Sequence, residues 1–267
     1  MEIADTFIPT AGAVGLLPMV TYFFLIVATF VFTSLFVFSL IALFITGSAP
    51  TRLISRLPLM FIPILAVVSA GSYYVLQSFY HNVLAELVTT TDATDRQTLL
   101  REAYHSLSQY RYIAWFINTP ILLIQVVCLL PVQLWRDRRS LVKLLAGNLI
   151  VVFFSFIGHQ QLSFDNEVQA GPMAIWGLLA LAGFGFTAFT LNRLQKVHNG
   201  FDQPGFRWAS LTLGTVWIVY FVGYFLALTT IDVNVLQLGL TFVDIVSVIG
   251  ISKIILLIHT NRWPNTL

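Results

Sequence analysis

The sequence predicts an all-α fold: a bundle of seven transmembrane helices with its N-terminus outside the cell and its C-terminus in the cytoplasm. Three observations support this prediction. Of the 267 residues, 57% are hydrophobic and only 10% are charged, and this charged share is less than half of that in soluble proteins. Seven apolar runs are each long enough to cross a bilayer. Lysine and arginine are concentrated in alternate loops between these runs.

The apolar runs follow one another without a linker or an internal repeat, so we expect one membrane domain over residues 1–267. A transmembrane helix needs about 20 apolar residues, and clusters of turn-forming residues separate the runs. Between the second and third runs, Thr94 and Gln97 have the spacing of a capping box, which indicates either a short helix or an outward extension of the third span. The predicted spans are about 14–46, 58–85, 106–134, 138–161, 172–197, 205–230 and 234–260.

The distribution of basic residues predicts the orientation, because cytoplasmic loops carry an excess of lysine and arginine. The second loop contains only Arg96 and Arg101, and the fourth and sixth loops contain none. The first, third and fifth loops contain Arg52 and Arg56; Arg136, Arg138, Arg139 and Lys143; and Arg193, Lys196 and Arg207, respectively. We therefore expect a multi-pass protein of the cell membrane that is embedded in the lipid bilayer. The net charge of +2 is spread over several loops and gives no indication of a nucleic-acid partner.

Three charged residues remain inside the predicted spans: Arg111, Asp244 and Lys253. Arg111 lies about one turn inside the outer end of the third span, and Asp244 lies about ten residues into the seventh. Both spans run from outside to inside, so the two charges fall at similar depths once the length of the arginine side chain is included. An unpaired charge at that depth costs several kcal/mol, so we expect the two side chains to form an ion pair. Such a pair can either fix helix packing or take part in function. Lys253 lies nearer the cytoplasmic end, where its long side chain can reach the membrane interface.

The third predicted span, 111-RYIAWFINTPILLIQ-125, carries a polar stripe. The side chains of Ala114, Asn118 and Gln125 fall near one face of the helix, and polar groups on one face of a membrane helix line a protein interior. The pattern R-Y-x-x-W-x-x-x-T-P in this span resembles the third helix of the microbial (type 1) rhodopsins, whose archetype is bacteriorhodopsin.

Other spans extend the resemblance. In the sixth span, 217-WIVYFVGY-224 is similar to the family pattern W-x-x-Y-P-x-x-W, from which Phe221 and Tyr224 depart. In the seventh span, 244-DIVSVIG-250 resembles the family pattern D-x-S-x-K-x-G. The resemblance implies a seven-helix fold with a central ligand pocket. The pocket positions that it assigns are Trp115, Thr119, Asn148, Ser155, Trp176, Trp217, Tyr220, Tyr224 and Val248.

The sequence departs from the family at the positions that carry its photochemistry. In the family, a lysine one turn after the seventh-helix aspartate forms a Schiff base with retinal, and Val248 occupies that position here. The counterion position is Ala114, the central position of the third-helix motif is Asn118, and the proton-donor position is Gln125. Lys253 is five residues farther on, about 140° around the helix and about 7.5 Å along it. The resemblance therefore implies neither a covalent cofactor nor a conventional light-driven proton pump.

Several functions remain open at this stage. The aromatic pocket can hold retinal or a related polyene without a covalent bond, in a sensory or scaffolding protein, or its rings can simply fill the core. An ion transporter or channel is the alternative, with Asn118, Gln125, Asn148 and Ser155 along a water path. Light-driven anion transport would require a different alignment of the seventh span, in which a lysine rather than Val248 occupies the Schiff-base position. A structural bundle is the third interpretation, and we expect either a homo-oligomer or another membrane protein as the partner.

Enzymatic and metal sites are not expected. The sequence shows no nucleotide-binding loop, nucleophile triad or metal-ligand spacing. His81, His105 and His159 fall on the predicted outer side with Asp165 and Glu167. We interpret these histidines as scattered interfacial residues rather than as a metal site.

Overall fold

The computed structural model describes residues 8–46, 53–130, 138–161, 168–197, 204–229 and 231–259. Within these ranges the protein is all-helical, which confirms the predicted fold class. A single helical turn, Ala11–Val14, precedes seven long helices. These are α1 (Leu16–Thr46), α2 (Leu53–Thr89), α3 (Ala93–Val127), α4 (Arg138–His159), α5 (Ala170–Val197), α6 (Pro204–Leu226) and α7 (Val233–His259).

Six of the long helices in the described part of the chain have the length and hydropathy of a membrane span; α3 does not meet both criteria. The apolar half of α3 carries Arg111, Asn118 and Gln125, which lower its hydropathy. All three side chains are buried in the protein, with exposed fractions of 2%, 6% and 0%. The polarity of α3 therefore faces the bundle interior, as expected for polar residues of a membrane helix.

The helices form a closed ring. Each long helix packs against the next one in the chain, and α7 returns to pack against α1. Helix α3 also contacts α6 and α7 across the ring. It therefore borders the centre of the bundle, where part of its polar stripe faces the internal cavities.

The start of α3 differs from the expected capping box. Asp92 is the N-cap, with extended backbone angles, and its carboxylate accepts hydrogen bonds from the backbone N–H groups of Thr94 (2.7 Å) and Asp95 (3.2 Å). The capping box at Thr94 and Gln97 is therefore wrong, because Asp92 already satisfies the first free N–H groups of the helix. Of the two forms expected for this segment, the outward extension of the third helix is the one observed.

Candidate functional site

Two neighbouring cavities lie at the centre of the bundle, between α3, α6 and α7. The aromatic cavity has a free volume of about 50 Å³ and extends to α4. The Val248 cavity has a free volume of about 20 Å³ and extends to α2. Both are lined by Arg111, Trp115, Thr119, Trp217 and Tyr220. Of the remaining predicted residues, the aromatic cavity is lined by Asn148, Ser155 and Tyr224, and the Val248 cavity by Ala114, Asn118, Asp244 and Val248.

Asp244 lines the Val248 cavity, and donors surround its carboxylate. Oδ2 accepts hydrogen bonds from the Tyr73 hydroxyl (2.5 Å) and from an Arg111 N–H group (2.6 Å). Oδ1 accepts from the indole N–H of Trp115 (2.9 Å) and from the Tyr220 hydroxyl. Asp244 is 7% exposed, so these four donors replace the water that a buried carboxylate would otherwise need.

Arg111 binds α7 at three positions. Besides the ion pair with Asp244, its guanidinium donates to Oε1 of Gln237 (2.7 Å) and to the hydroxyl of Thr241 (3.3 Å). It also donates to the hydroxyl of Tyr73 (2.7 Å), over whose ring it lies at 5.4 Å. We call these residues, with Trp115 and Tyr220, the Asp244 network. The network compensates the charge of Arg111, which could not be buried alone at acceptable cost.

Sequence reasoning found Arg111 and Asp244 but missed three members of the Asp244 network: Tyr73, Gln237 and Thr241. Gln237 and Thr241 precede Asp244 at spacings of seven and three residues, and these spacings place all three on one face of α7. That polar periodicity was a signal in the sequence. Tyr73 carried no comparable signal, because it is one of two adjacent tyrosines on α2 and only the fold decides which one faces inward.

The residue one turn after Asp244 is Val248, which is 3% exposed and lines the smaller cavity with Ala114. The chain contains three lysines, and all three lie within the described residues. Lys143, Lys196 and Lys253 are all exposed on the protein surface. None of them lines either cavity.

Two amides of the third-helix stripe tie α3 to α2. Asn118 donates to the Ser69 hydroxyl (2.9 Å), and Gln125 donates to the backbone carbonyl of Pro58 (2.9 Å). The side-chain oxygen of each amide is buried without a hydrogen-bond partner among the described residues, and the same holds for Asn148. Gln125 lines neither cavity, so only part of the stripe faces the central space.

Trp176 does not line the cavities, in contrast to the prediction. Its ring packs against Phe154, with ring centroids 5.4 Å apart. The reason is Tyr224, whose ring occupies the space between two glycines, Gly158 and Gly177. A Cβ atom on Gly158 would lie 1.8 Å from the Tyr224 hydroxyl, and one on Gly177 would lie 2.5 Å from its ring. The Tyr224 ring therefore lies close to the backbone of both α4 and α5, and its hydroxyl donates to the carbonyl of Met173 (2.7 Å).

A histidine–tyrosine cluster at one end of the aromatic cavity was also missed. The two ring nitrogens of His159 lie 3.1 Å and 3.2 Å from the hydroxyls of Tyr104 and Tyr112. His105 contacts the backbone carbonyl of His159 through Nδ1 at 3.2 Å. His159 is 4% exposed and His105 is 7% exposed, so these two side chains are clustered inside the protein rather than scattered over its surface. Asp165 and Glu167 lie outside the described residues.

Comparisons with known proteins agree with the helical architecture. A model of the family described as bacteriorhodopsin-like protein matches residues 18–261. Among solved structures, thermophilic rhodopsin is 15% identical with a TM-score of 0.71, covering 92% of this chain and 94% of that chain. Xanthorhodopsin, described as a light-driven ion pump with dual chromophore, is 15% identical with a TM-score of 0.72 and the same coverage. The rhodopsin of Exiguobacterium sibiricum is 18% identical with a TM-score of 0.68, covering 91% and 97%. No curated protein sequence matches the chain.

Proposed function

The chain belongs to the bacteriorhodopsin-like protein family, and from that premise we propose a multi-pass membrane protein that binds retinal or a related polyene without a covalent bond. Members of this family bind retinal, generally through a covalent link. The proposal retains the membrane scaffold and the pocket of the family and departs from it in the link to the ligand.

The observation that carries the proposal is the side chain beside the cavity at position 248. Retinal is held as an imine in the family, and an imine requires an amine. Val248 has none, and the three lysines of the chain, Lys143, Lys196 and Lys253, have exposed side chains. Lys253 would have to rotate about 140° around α7 to reach the cavity. The residues present therefore do not fit a covalently bound retinal.

The chemistry of the pocket supports an apolar, flat ligand. The rings of Trp115, Trp217 and Tyr220 line both cavities, and aromatic faces pack well against a conjugated chain. The free volumes of about 50 Å³ and 20 Å³ hold only a few groups of the size of water. A complete polyene therefore requires the lining rings to move apart when it binds.

A sensory or scaffolding role fits the residues better than proton pumping. By the family resemblance, Ala114, Asn118 and Gln125 occupy the counterion, central and proton-donor positions, and none of them is a carboxylic acid. The ion-transport alternative has less support, because the amides of Asn118 and Gln125 bond to α2. The proposal includes one domain with seven spans, an outside N-terminus, a cytoplasmic C-terminus, and a homo-oligomer or another membrane protein as the partner.

Addition of all-trans retinal to the purified protein tests this proposal. We expect a shifted absorption band that disappears when the protein is denatured, because no covalent bond holds the ligand. Binding should also change the tryptophan fluorescence, since Trp115 and Trp217 line the pocket. The Lys253→Arg variant is the control, and its band should match that of the wild type. A band that survives denaturation would contradict the proposal, and so would a complete lack of binding by folded protein.

A further inference from the structure

The aromatic cavity is elongated along the helices. On α3 its lining runs from Tyr104 to Thr119, and on α4 it runs from His159 to Asn148. His159 contacts Tyr104 and Tyr112, and α4 runs antiparallel to α3, so Asn148, eleven residues before His159, falls toward the Thr119 end of the lining. Fifteen residues of α-helix correspond to roughly 22 Å. The cavity therefore has two separate ends, one at the histidine–tyrosine cluster and one at Asn148.

Four hydrogen-bond donors along this cavity already donate to protein acceptors. The hydroxyl of Ser108 donates to the carbonyl of Tyr104 (2.7 Å), and that of Thr119 donates to the carbonyl of Trp115 (2.7 Å). The indole of Trp115 and the hydroxyl of Tyr220 donate to Asp244. A ligand whose oxygen can only accept would compete with these bonds instead of completing them.

Asn148 is in the opposite situation. Its side chain is 2% exposed and lines the end of the cavity, and its Oδ1 has no donor among the described residues. A buried acceptor without a donor is destabilising, and a partner that donates to it removes that cost. The second such atom on a residue lining this cavity is Nε of Arg111, which is itself a donor and belongs to the Asp244 network. The missing donor is therefore at the Asn148 end.

We propose that Asn148 accepts a hydrogen bond from the hydroxyl group of the ligand, and that the natural ligand class is a flat polyene alcohol rather than an aldehyde. This inference rests on the proposed function and specifies its ligand. A hydroxyl both donates and accepts, whereas an aldehyde or an ether only accepts. The alcohol also needs no amine in the pocket, which agrees with the valine at position 248.

Binding of retinol and retinyl methyl ether to the purified protein tests this inference, because the two ligands share the polyene and differ in the donated hydrogen. Affinity can be measured by the quenching of tryptophan fluorescence. We expect retinol to bind about tenfold more tightly than the ether, as one buried hydrogen bond permits. Retinal should bind with the weaker affinity of the ether.

Two variants test whether Asn148 causes the preference for retinol over the ether. Asn148→Leu should lower the ratio of the two affinities to about one. Gln125→Leu is the matched control, because Gln125 is also a buried amide with an unpartnered oxygen but lines neither cavity. It should retain the tenfold ratio. If Asn148→Leu does not fold, the comparison of ligands on the wild type still decides.

Three results would overturn the inference. Equal affinities of the wild type for retinol and its ether would show that water, not a ligand, serves Asn148. A preference that survives Asn148→Leu would place the hydroxyl elsewhere, and tighter binding of retinal than of retinol would reverse the ligand class. In each of these cases the pocket still binds a polyene, so the proposed function stands. If none of the three molecules binds to folded protein, the proposed function fails together with the inference.

Discussion

Asp244 and Val248 lie one turn apart on α7, and their surroundings differ in kind. Asp244 is contacted by four donors from Tyr73, Arg111, Trp115 and Tyr220. Val248 lines a small cavity and makes no polar contact through its side chain. Both carboxylate oxygens of Asp244 are hydrogen-bonded, while the side chain one turn farther on is a hydrocarbon.

The two positions place α7 in two different surroundings: a buried polar network at Asp244 and a cavity wall at Val248. In the Asp244 network the buried charges of Arg111 and Asp244 are balanced within the protein. The cavity side has free volumes of about 50 Å³ and 20 Å³, and at Asn118 and Asn148 it contains amide oxygens without donors among the described residues. A hydrocarbon at position 248 is therefore compatible with the ion pair one turn away. Substitutions on the two sides should have very different energetic consequences.

The largest expected effect follows from Arg111→Met, which leaves the carboxylate of Asp244 buried without its cation. We expect the free energy of unfolding to fall by about 3–5 kcal/mol. It can be measured by unfolding in mixed micelles with increasing denaturing detergent. The exposed Arg101 gives the matched control Arg101→Met, which should change stability by less than about 0.5 kcal/mol.

A double variant sharpens this result. Arg111→Met combined with Asp244→Leu removes both charges, so most of the loss should be recovered, because paired buried charges can often be replaced by apolar groups. If the double variant is as unstable as Arg111→Met alone, the ion pair is not the reason for the loss.

The second effect concerns the tyrosine on α2. Tyr73→Phe removes the hydroxyl that donates to Asp244 and accepts from Arg111. Hydrogen bonds to charged groups contribute about 1.5–3 kcal/mol, so we expect a loss of about 2 kcal/mol in the same unfolding assay. The adjacent Tyr74 is 60% exposed, and Tyr74→Phe should be neutral. Equal effects of the two variants would place Tyr73 outside the Asp244 network.

A smaller effect is expected at the amides. Gln125→Leu removes the hydrogen bond to the carbonyl of Pro58 and also the unpartnered Oε1. These changes oppose each other, so the free energy of unfolding should change by less than about 1 kcal/mol. If the free energy of unfolding fell as much as in Tyr73→Phe, Gln125 would contribute as much to stability as the Asp244 network does. That result would contradict the difference proposed between the two regions.

The smallest effect is a pH dependence at the start of α3. The backbone N–H groups of Asp95 and Thr94 hold the pKa of the Asp92 carboxyl below its usual value. The capping contribution is therefore complete above the usual pKa of about 3.8 and is lost as the pH falls through the lowered pKa. Carbon-13 NMR of the Asp92 carboxyl can locate this titration. A midpoint at or above 3.8 would contradict the capping assignment.

The sequence was sufficient for the coarse architecture. Its low charge content and long apolar runs predicted the all-α membrane fold, and the patterns around Arg111, Trp217 and Asp244 indicated the family, which the family match confirms. These features are encoded locally, by hydropathy and by spacing along one helix.

The details of the site depend on contacts between helices, which local patterns do not specify. The place of Tyr73 in the Asp244 network and that of His159 in the histidine–tyrosine cluster follow only from the packing of α2 and α4 against α3. Trp176 looked like a pocket residue by its position, but the ring of Tyr224 fills the space between Gly158 and Gly177. A helix pattern shows which residues share a face, but it does not show which large side chain occupies the space at the centre of the bundle.

The central claim is that no amine reaches the ligand pocket, and mass spectrometry after incubation with all-trans retinal and borohydride tests it most directly. The wild type should gain no retinyl group on the α7 peptide. The double variant Val248→Lys with Ala114→Asp should gain one on that peptide, because it supplies an amine with a nearby carboxylate. A retinyl group on the α7 peptide of the wild-type protein would contradict the account.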